Sequence, residues 1–263
     1  MSRVIDRAKP LIILLSLVIA GCAGQGQVRD GGDTTGELGS EKRESPAAIY
    51  VQMGIAYLRE GQSAIALQKL KKAISIDPQN AEAHNVIAIL YERLGKVNLA
   101  DEHYAEAVEL QPQDPYTRNA RGSFYCKQGQ FEKADMEFES ALTNPLYPTP
   151  WVAMTNAGLC AERSGDLEKA ESYYRKALTS NDSYFQALRQ MAKVSLKQHN
   201  YLSARAYLER YNSAAEATAG SLWLGVQIER SLGDRRKARI YSADLLQKFP
   251  DAPEVQMLRK SGW

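Results

Sequence analysis

Residues 81–114 read AEAHNVIAILYERLGKVNLADEHYAEAVELQPQD, and this stretch decides the fold. Two segments with apolar residues at helical spacing lie on either side of Gly95, and Pro112 follows the second segment. Glycine commonly ends a helix because it adopts the left-handed conformation easily, and proline prevents a helix from continuing. The stretch therefore predicts two helices joined by a short turn.

The same pattern recurs along the chain at a fixed spacing. Alanines recur 34, 34, 36, 34 and 34 residues apart, at Ala66, Ala100, Ala134, Ala170, Ala204 and Ala238. Five positions before each alanine stands a glycine, except in the fifth repeat, where His199 takes its place. Four positions after the alanines stand Leu70, Tyr104, Phe138, Tyr174, Leu208 and Ser242. A 34-residue period of this kind resembles the tetratricopeptide repeat (TPR).

The TPR resemblance implies an all-α fold, a right-handed superhelical solenoid of six helix-turn-helix repeats. The repeats are predicted at 47–80, 81–114, 115–150, 151–184, 185–218 and 219–252. Residues 253–263, which end in Trp263, are expected to form a C-terminal capping helix over the last apolar face. Ala134 and Ala170 are 36 residues apart, two more than the usual 34, and the proline-rich segment 144–150 accounts for the difference. This segment is either a longer turn or a contact loop that changes the superhelix pitch.

The N-terminus has the features of a lipoprotein signal. Three basic residues precede the apolar run LIILLSLVIA at 11–20, which is about half as long as a membrane-spanning helix. Ile19-Ala20-Gly21-Cys22 resembles the bacterial lipobox. This resemblance implies that residues 1–21 are removed and that Cys22 carries diacylglycerol and an N-acyl chain such as palmitate. The alternative is an ordinary signal peptide with a coincidental cysteine.

The residue after the lipobox bears on the destination of the protein. Ala23 stands where an aspartate retains many lipoproteins in the inner membrane. The resemblance therefore implies an outer-membrane protein that is lipid-anchored at the periplasmic face. Residues 22–46 are rich in glycine, serine, threonine and charge, and they are predicted to be a flexible tether between the lipid and the repeats.

Composition and motifs exclude several classes of protein. The net charge is +2, and no run of five or six like charges provides the basic surface that nucleic-acid binding requires. The chain has no P-loop, GxSxG, HExxH or CxxC motif, and His84, His103 and His199 have no metal-ligand spacing. We therefore expect a monomeric binding protein without enzymatic activity, small-molecule substrate, metal or cofactor, apart from the lipid on Cys22.

Two cysteines stand on the first helices of adjacent predicted repeats. Cys126 and Cys160 are 34 residues apart, and neighbouring helices pack about 8–10 Å between their axes. Inward-facing side chains at that separation can approach disulfide distance, and the periplasm is oxidising. The spacing favours a disulfide between the third and fourth repeats, and two buried free thiols are the alternative.

The first helices of a TPR solenoid also predict a partner site. Such solenoids usually bind partners in a groove lined by positions 2, 5, 9 and 12 of each repeat. The predicted groove residues are Val51, Ile55, Leu58, Asn85, Ile89, Asn119 and Ser123. The N-terminal part of this groove is apolar, and its two asparagines can pair with a peptide backbone. The alternative is that an N-terminal helix or the tether covers the apolar strip.

A lipoprotein signal followed by six TPRs closely resembles the PilF/PilW-type lipoproteins of type IV pilus biogenesis over the whole chain. The resemblance implies a pilotin, which binds subunits of the outer-membrane secretin through its TPR groove. Such a protein promotes their outer-membrane localisation and multimer assembly, and is needed for pilus biogenesis and twitching motility. The alternative is a TPR lipoprotein that serves as a scaffold for cell-wall enzymes or envelope proteases.

We predict that Cys22→Ala releases the protein from the outer membrane, because three acyl chains on this residue would provide its anchorage. Immunoblots of separated membrane and soluble fractions measure the change, with Ser40→Ala in the same segment as the matched control. A Cys22→Ala protein that remains with the outer membrane would contradict the lipid anchor.

Overall fold

The computed structural model of the chain describes residues 45–262, which form thirteen helices and, within that range, no strand. The helices are α1 (Pro46–Arg59), α2 (Ser63–Ile76), α3 (Ala81–Arg93), α4 (Val97–Leu110), α5 (Pro115–Lys127), α6 (Phe131–Leu142), α7 (Pro150–Ser164), α8 (Leu167–Ser180), α9 (Phe185–Lys197), α10 (Tyr201–Ala214), α11 (Ala219–Ser231), α12 (Arg235–Lys248) and α13 (Pro253–Lys260). Consecutive helices from α1 to α12 form six pairs, and α13 follows the last pair. The fold is an all-α TPR solenoid.

The six pairs follow the repeats that the sequence predicts, with two small shifts at the boundaries. The fourth pair begins at Pro150 and the first at Pro46, each one residue earlier than predicted. Both prolines occupy the first turn of a helix, where the missing amide hydrogen would have no intrahelical partner. The signal peptide, Cys22, most of the tether and Trp263 lie outside the described residues. Within 45–262, no helix has the length and apolar character needed to span a membrane.

The turn between the two helices of a pair uses the left-handed backbone conformation. Gly95 has φ 69° and Gly165 has φ 91°, and His199 in the equivalent place has φ 62°. Among the described residues, His199 is the only one other than glycine with a positive φ. An L-residue in this conformation costs about 1–2 kcal/mol because its Cβ crowds the backbone. The fifth pair therefore has the same turn as the other pairs, although histidine is less favourable than glycine in this conformation.

Within a pair, the two helices approach closely where the first helix has no side chain. The large side chains Leu70, Phe138 and Tyr174 pack onto Gly54, Gly122 and Gly158, respectively. A Cβ added at Gly158 would lie 2.4 Å from Tyr174 Cε1, and one at Gly122 would lie 2.9 Å from Phe138 Cδ1. The repeating alanines are all fully buried beside this contact, at Ala66, Ala100, Ala134, Ala170, Ala204 and Ala238.

The last helix covers the apolar end of the solenoid. Val255 and Leu258 of α13 are buried against Leu222, Val226 and Leu245 of the sixth pair. Terminal repeats need such a cap, because each repeat otherwise exposes the face that its neighbour would bury. The capping helix therefore occupies the place that the first helix of a seventh repeat would take.

The extra residues between the third and fourth pairs form a packed turn. Tyr147 is buried against Ala141 and Ala153, and its ring meets the Tyr116 ring edge-on with centroids 5.3 Å apart. Burial raises the pKa of Tyr147 to about 12. Asn144 Nδ2 donates to the Gln113 carbonyl oxygen at 3.1 Å. The insertion thus fills the junction between repeats with an aromatic side chain.

We predict that Gly158→Ala destabilises the protein by about 1–3 kcal/mol, because the new Cβ collides with the Tyr174 ring and overpacks the core. Urea unfolding followed by circular dichroism measures the loss. The matched control is Gly220→Ala, whose Cβ would meet nothing closer than Glu254 Oε1 at 3.6 Å, and we expect it to be neutral or stabilising. Equal stability of the two variants would contradict the close-approach argument.

Candidate functional site

The first helices of the pairs form one face of the solenoid, which we call the groove face. α1 contacts α3, α3 contacts α5, α5 contacts α7, and α9 contacts α11. By the TPR resemblance, positions 2, 5, 9 and 12 of these helices line this face, and position 13 contacts the neighbouring first helix, as Lys127 and Lys197 do. Which of them is accessible depends on the residues that the next repeat presents.

In the first repeat, two predicted groove residues are in the core. Val51 has no exposed surface and Leu58 is 7% exposed, and both belong to a cluster with Val86 and Leu90 of α3. They are buried because α3 packs directly against this side of α1. This finding corrects the expectation that both side chains are available to a partner. Of the three predicted groove residues on α1, Ile55 is half-buried and remains accessible.

The second and third repeats place the other predicted groove residues together. Ile89, Asn85, Asn119 and Ser123 are all half-buried. Asn119 Oδ1 accepts from Asn156 Nδ2 of the fourth repeat at 3.0 Å, and the Asn119 backbone oxygen accepts from Ser123 Oγ at 3.0 Å. The bond from Asn156 holds the Asn119 side chain in one orientation. The sequence analysis did not single out Asn156, because its role depends on the packing of α7 against α5.

Asn85 differs from Asn119 in its hydrogen bonding. Its Oδ1 is buried and has no hydrogen-bond partner in the described part of the chain. A buried acceptor without a partner is unfavourable, and a bound chain could donate to it only after the Asn85 side chain turns toward the groove. Ile55, Ile89, Asn85 and Asn119 therefore combine accessible apolar surface with amide groups, which suits an extended peptide.

A repeated set of three side chains links neighbouring repeats along the groove face. Glu162 at position 12 accepts from Tyr174 Oη at 2.8 Å and from Lys197 Nζ of the next repeat at 2.8 Å. The same arrangement joins Glu92, Tyr104 and Lys127 two repeats earlier. Burial and the neighbouring carboxylate raise the pKa of each tyrosine, so its hydroxyl stays protonated and donates.

The third repeat replaces this set with a covalent link. Cys126 stands at position 12 in place of the glutamate, and its Sγ is bonded to Cys160 Sγ with the two Cα atoms 5.6 Å apart. Phe138 stands in the place of the tyrosine and has no hydroxyl group to donate. Arg163 takes the place of the lysine and has no ion-pair or hydrogen-bond partner within 45–262. It borders a cavity of about 130 Å³ with Ser123 and Asn156.

The groove face of the last two repeats is basic and aromatic. Arg189 and Lys193 of α9 share a cavity of about 410 Å³ with Trp223 of α11 and Met257 of α13. The sequence analysis named none of these residues. The only sign of these residues in the sequence is their position within the repeat. That sign is weak because the fifth and sixth repeats match the period more loosely than the others.

Two histidines meet across the second pair, although their spacing in the chain gives no sign of it. His84 Nδ1 and His103 Nδ1 are 3.1 Å apart, and the pKa of His103 is lowered by burial and then by His84. Within 45–262, no three or more histidine, cysteine, aspartate or glutamate side chains are grouped to hold a metal ion. The pair therefore connects α3 to α4 as a hydrogen bond.

Comparison with known proteins agrees with this architecture. A TPR repeat model matches residues 54–95, and a tetratricopeptide repeat model matches residues 81–114 and 153–184. The chain is 28% identical to the type IV pilus assembly protein PilF of Pseudomonas aeruginosa over 246 residues, which cover 94% of this chain and 95% of that protein.

Two solved structures with the same level of identity superpose well. The crystal structure of PilW, described as a widely conserved type IV pilus biogenesis factor, has a TM-score of 0.74 at 28% identity and covers 81% of this chain and 97% of its own. The Pseudomonas aeruginosa PilF structure has a TM-score of 0.73 at 28% identity and covers 82% and 97%, respectively. The resemblance to PilF/PilW-type proteins that the sequence indicated is therefore confirmed.

We predict that loss of the Cys126–Cys160 bond lowers the free energy of unfolding by about 3 kcal/mol, because the bond closes a 34-residue loop. Urea unfolding with and without reductant measures the effect. The Cys126→Ala/Cys160→Ala double variant serves as the control and should not respond to reductant. Alkylation of Cys126 and Cys160 in denatured, unreduced protein would show free thiols and contradict the prediction.

Proposed function

We propose that this chain, a tetratricopeptide-repeat protein of the PilF/PilW type, acts in type IV pilus biogenesis as a lipid-anchored pilotin for the outer-membrane secretin. The observation that carries the proposal is the extent of the similarity. It spans 94% of this chain and 95% of PilF, so it extends from the repeats into the segment that precedes them. A generic likeness between single repeats would not extend so far.

In this proposal the groove of the first three repeats holds the secretin subunit. Ile55 and Ile89 offer apolar side chains that are only half-buried, and Asn85 and Asn119 offer amide groups beside them. Burial of an exposed isoleucine side chain contributes about 1.5–3 kcal/mol at most, and the backbone of an extended segment can pair with the amides. Apolar anchors fixed in place by backbone hydrogen bonds suit a segment that must be held during transport.

The lipid on Cys22 supplies the transport half of the mechanism. A triacylated protein stays with the outer membrane, whereas one acyl chain alone binds membranes only marginally. The tether lets the repeats bind a secretin subunit in the periplasm while the lipid stays in the bilayer. Subunits collected on the same membrane then meet at high local concentration, which favours their assembly into a multimer.

The state of the secretin in a strain that lacks this protein tests the proposal directly. Unboiled gels of separated inner and outer membranes should show loss of the high-mass multimer, or secretin monomers in the inner membrane. A normal multimer in the outer membrane would reject the pilotin function and favour the scaffold for cell-wall enzymes or envelope proteases.

We predict that Ile55→Glu weakens secretin binding at least about tenfold, because a carboxylate replaces an apolar anchor in the groove. Pull-down of the purified secretin on the immobilised variant measures the change. Ile65→Glu is the matched control, because Ile65 is exposed on α2, outside the groove face. Circular dichroism should show that both variants fold, and normal binding by Ile55→Glu would remove the first repeat from the site.

A further inference from the structure

We propose that the groove face of repeats four to six is a second binding surface, which takes an acidic peptide segment that carries one large apolar side chain. This surface, here called the basic half-groove, is centred on Arg163, Arg189, Lys193 and Trp223. It lies beyond the residues to which the proposed function assigns the secretin. The inference rests on the charges of this face and on its cavity, and it does not require the pilotin function.

Positive charge is concentrated in this half of the groove face. At positions 2, 5, 9, 12 and 13, the last three repeats have the cations Arg163, Arg189, Lys193, Lys197 and Arg230, and Glu162 as the only acid. Glu162 is engaged by Lys197. The same positions in the first three repeats have Arg59, Arg93 and Lys127 against Glu82 and Glu92. A chain with a net charge of +2 thus presents a strongly basic patch on one half of one face.

The disulfide explains why Arg163 belongs to this patch. In the two neighbouring sets, a glutamate at position 12 accepts from the lysine of the next repeat. Cys126 occupies that position before Arg163 and uses its sulfur for the bond to Cys160. Arg163 therefore keeps its charge without a carboxylate beside it. Asn156 of the fourth repeat, which lines the same cavity, supplies a further hydrogen-bonding group.

Arg189 and Lys193 extend the patch along α9. They stand four residues apart and therefore lie on the same side of the helix, and neither has a hydrogen-bond or ion-pair partner within the described range. Like charges at this spacing destabilise a helix. A carboxylate bound between them would reverse that cost, and planar guanidinium is well suited to a carboxylate partner.

The cavity beside these cations indicates an apolar anchor in the partner. Trp223, Met257 and Leu196 line it, and its volume of about 410 Å³ accommodates a large side chain. Glu254 is the one acid in the lining. A partner with carboxylates alone would leave the Trp223 side of the cavity unfilled, and an apolar partner alone would leave the cations unpaired. An acidic segment with one leucine or phenylalanine matches both features.

Fluorescence anisotropy of a labelled twelve-residue peptide of glutamates with one central leucine tests the proposal, with the full chain purified in non-ionic detergent. We expect binding that weakens as salt is added, because the attraction between exposed charges is screened. Arg189→Glu and Lys193→Glu should each weaken binding at least about tenfold at low salt. Trp223→Ala should weaken it also at high salt, because it removes the apolar contact.

Two control variants distinguish an effect at the basic half-groove from a general effect of changed charge or of lost secretin binding. Arg236→Glu makes the same change of charge at an exposed position on α12, and it should bind the peptide like the unmodified protein. Ile55→Glu should also bind the peptide normally, even where it loses the secretin. A failure of the pilotin proposal therefore leaves the peptide-binding test unaffected. Failure of the peptide to bind likewise leaves the pilotin proposal unaffected.

Four outcomes would overturn the proposal. The first is equal affinity for the peptide in Arg189→Glu and the unmodified protein, and the second is equal affinity for a lysine-leucine peptide of the same length. The third is Lys193-dependent binding to phosphatidylglycerol vesicles without binding to the acidic peptide, which would make the surface a lipid contact. The fourth is a carboxyl-to-amine crosslink from Lys193 to acidic residues of 23–44 in the unliganded chain, which would make the chain's own N-terminal segment the occupant.

Discussion

The structure depends on the close approach of two helices within each repeat. Leu70, Phe138 and Tyr174 lie where Gly54, Gly122 and Gly158 have no side chain. In the second and fifth repeats fully buried alanines take the equivalent place, and in the sixth Gly225 faces Tyr241. Because the contact is made at the same height in the first five pairs, and one position earlier in the sixth, successive first helices lie side by side and their outer positions form one face. The groove is thus a consequence of small residues in the core.

The chemistry along that face follows from what each repeat places at the same few positions. A glutamate at position 12 joins its own repeat to the next through a tyrosine and a lysine, as Glu162 does. The disulfide at Cys126 performs the same joining covalently and removes the carboxylate. One substitution thus has two effects, a stronger link between repeats and a cation, Arg163, left facing the groove. The residue at position 12 therefore affects both the stability of the junction between repeats and the charge of the groove face.

The sequence predicts the backbone better than the groove, and the reason is physical. The period and the turn residues fix the six pairs, and even His199 adopts the left-handed turn that its place in the pattern implies. The burial of Val51 and Leu58 depends on how α3 lies against α1, which their own repeat does not determine. The meeting of His84 and His103, and the cavity beside Trp223, likewise arise between elements whose side chains meet only after packing.

The two halves of the groove face would respond differently to their surroundings. Contacts with Ile55 and Ile89 depend on burial of apolar surface, which moderate salt changes little. Contacts with Arg189 and Lys193 depend on charge, and at physiological ionic strength a charge is screened beyond about 8 Å. The basic half would therefore attract a partner only at short range and lose affinity as salt is added, whereas the apolar half would keep its affinity. Because the two proposed surfaces lie on different repeats, occupation of one would leave the other open to a second chain.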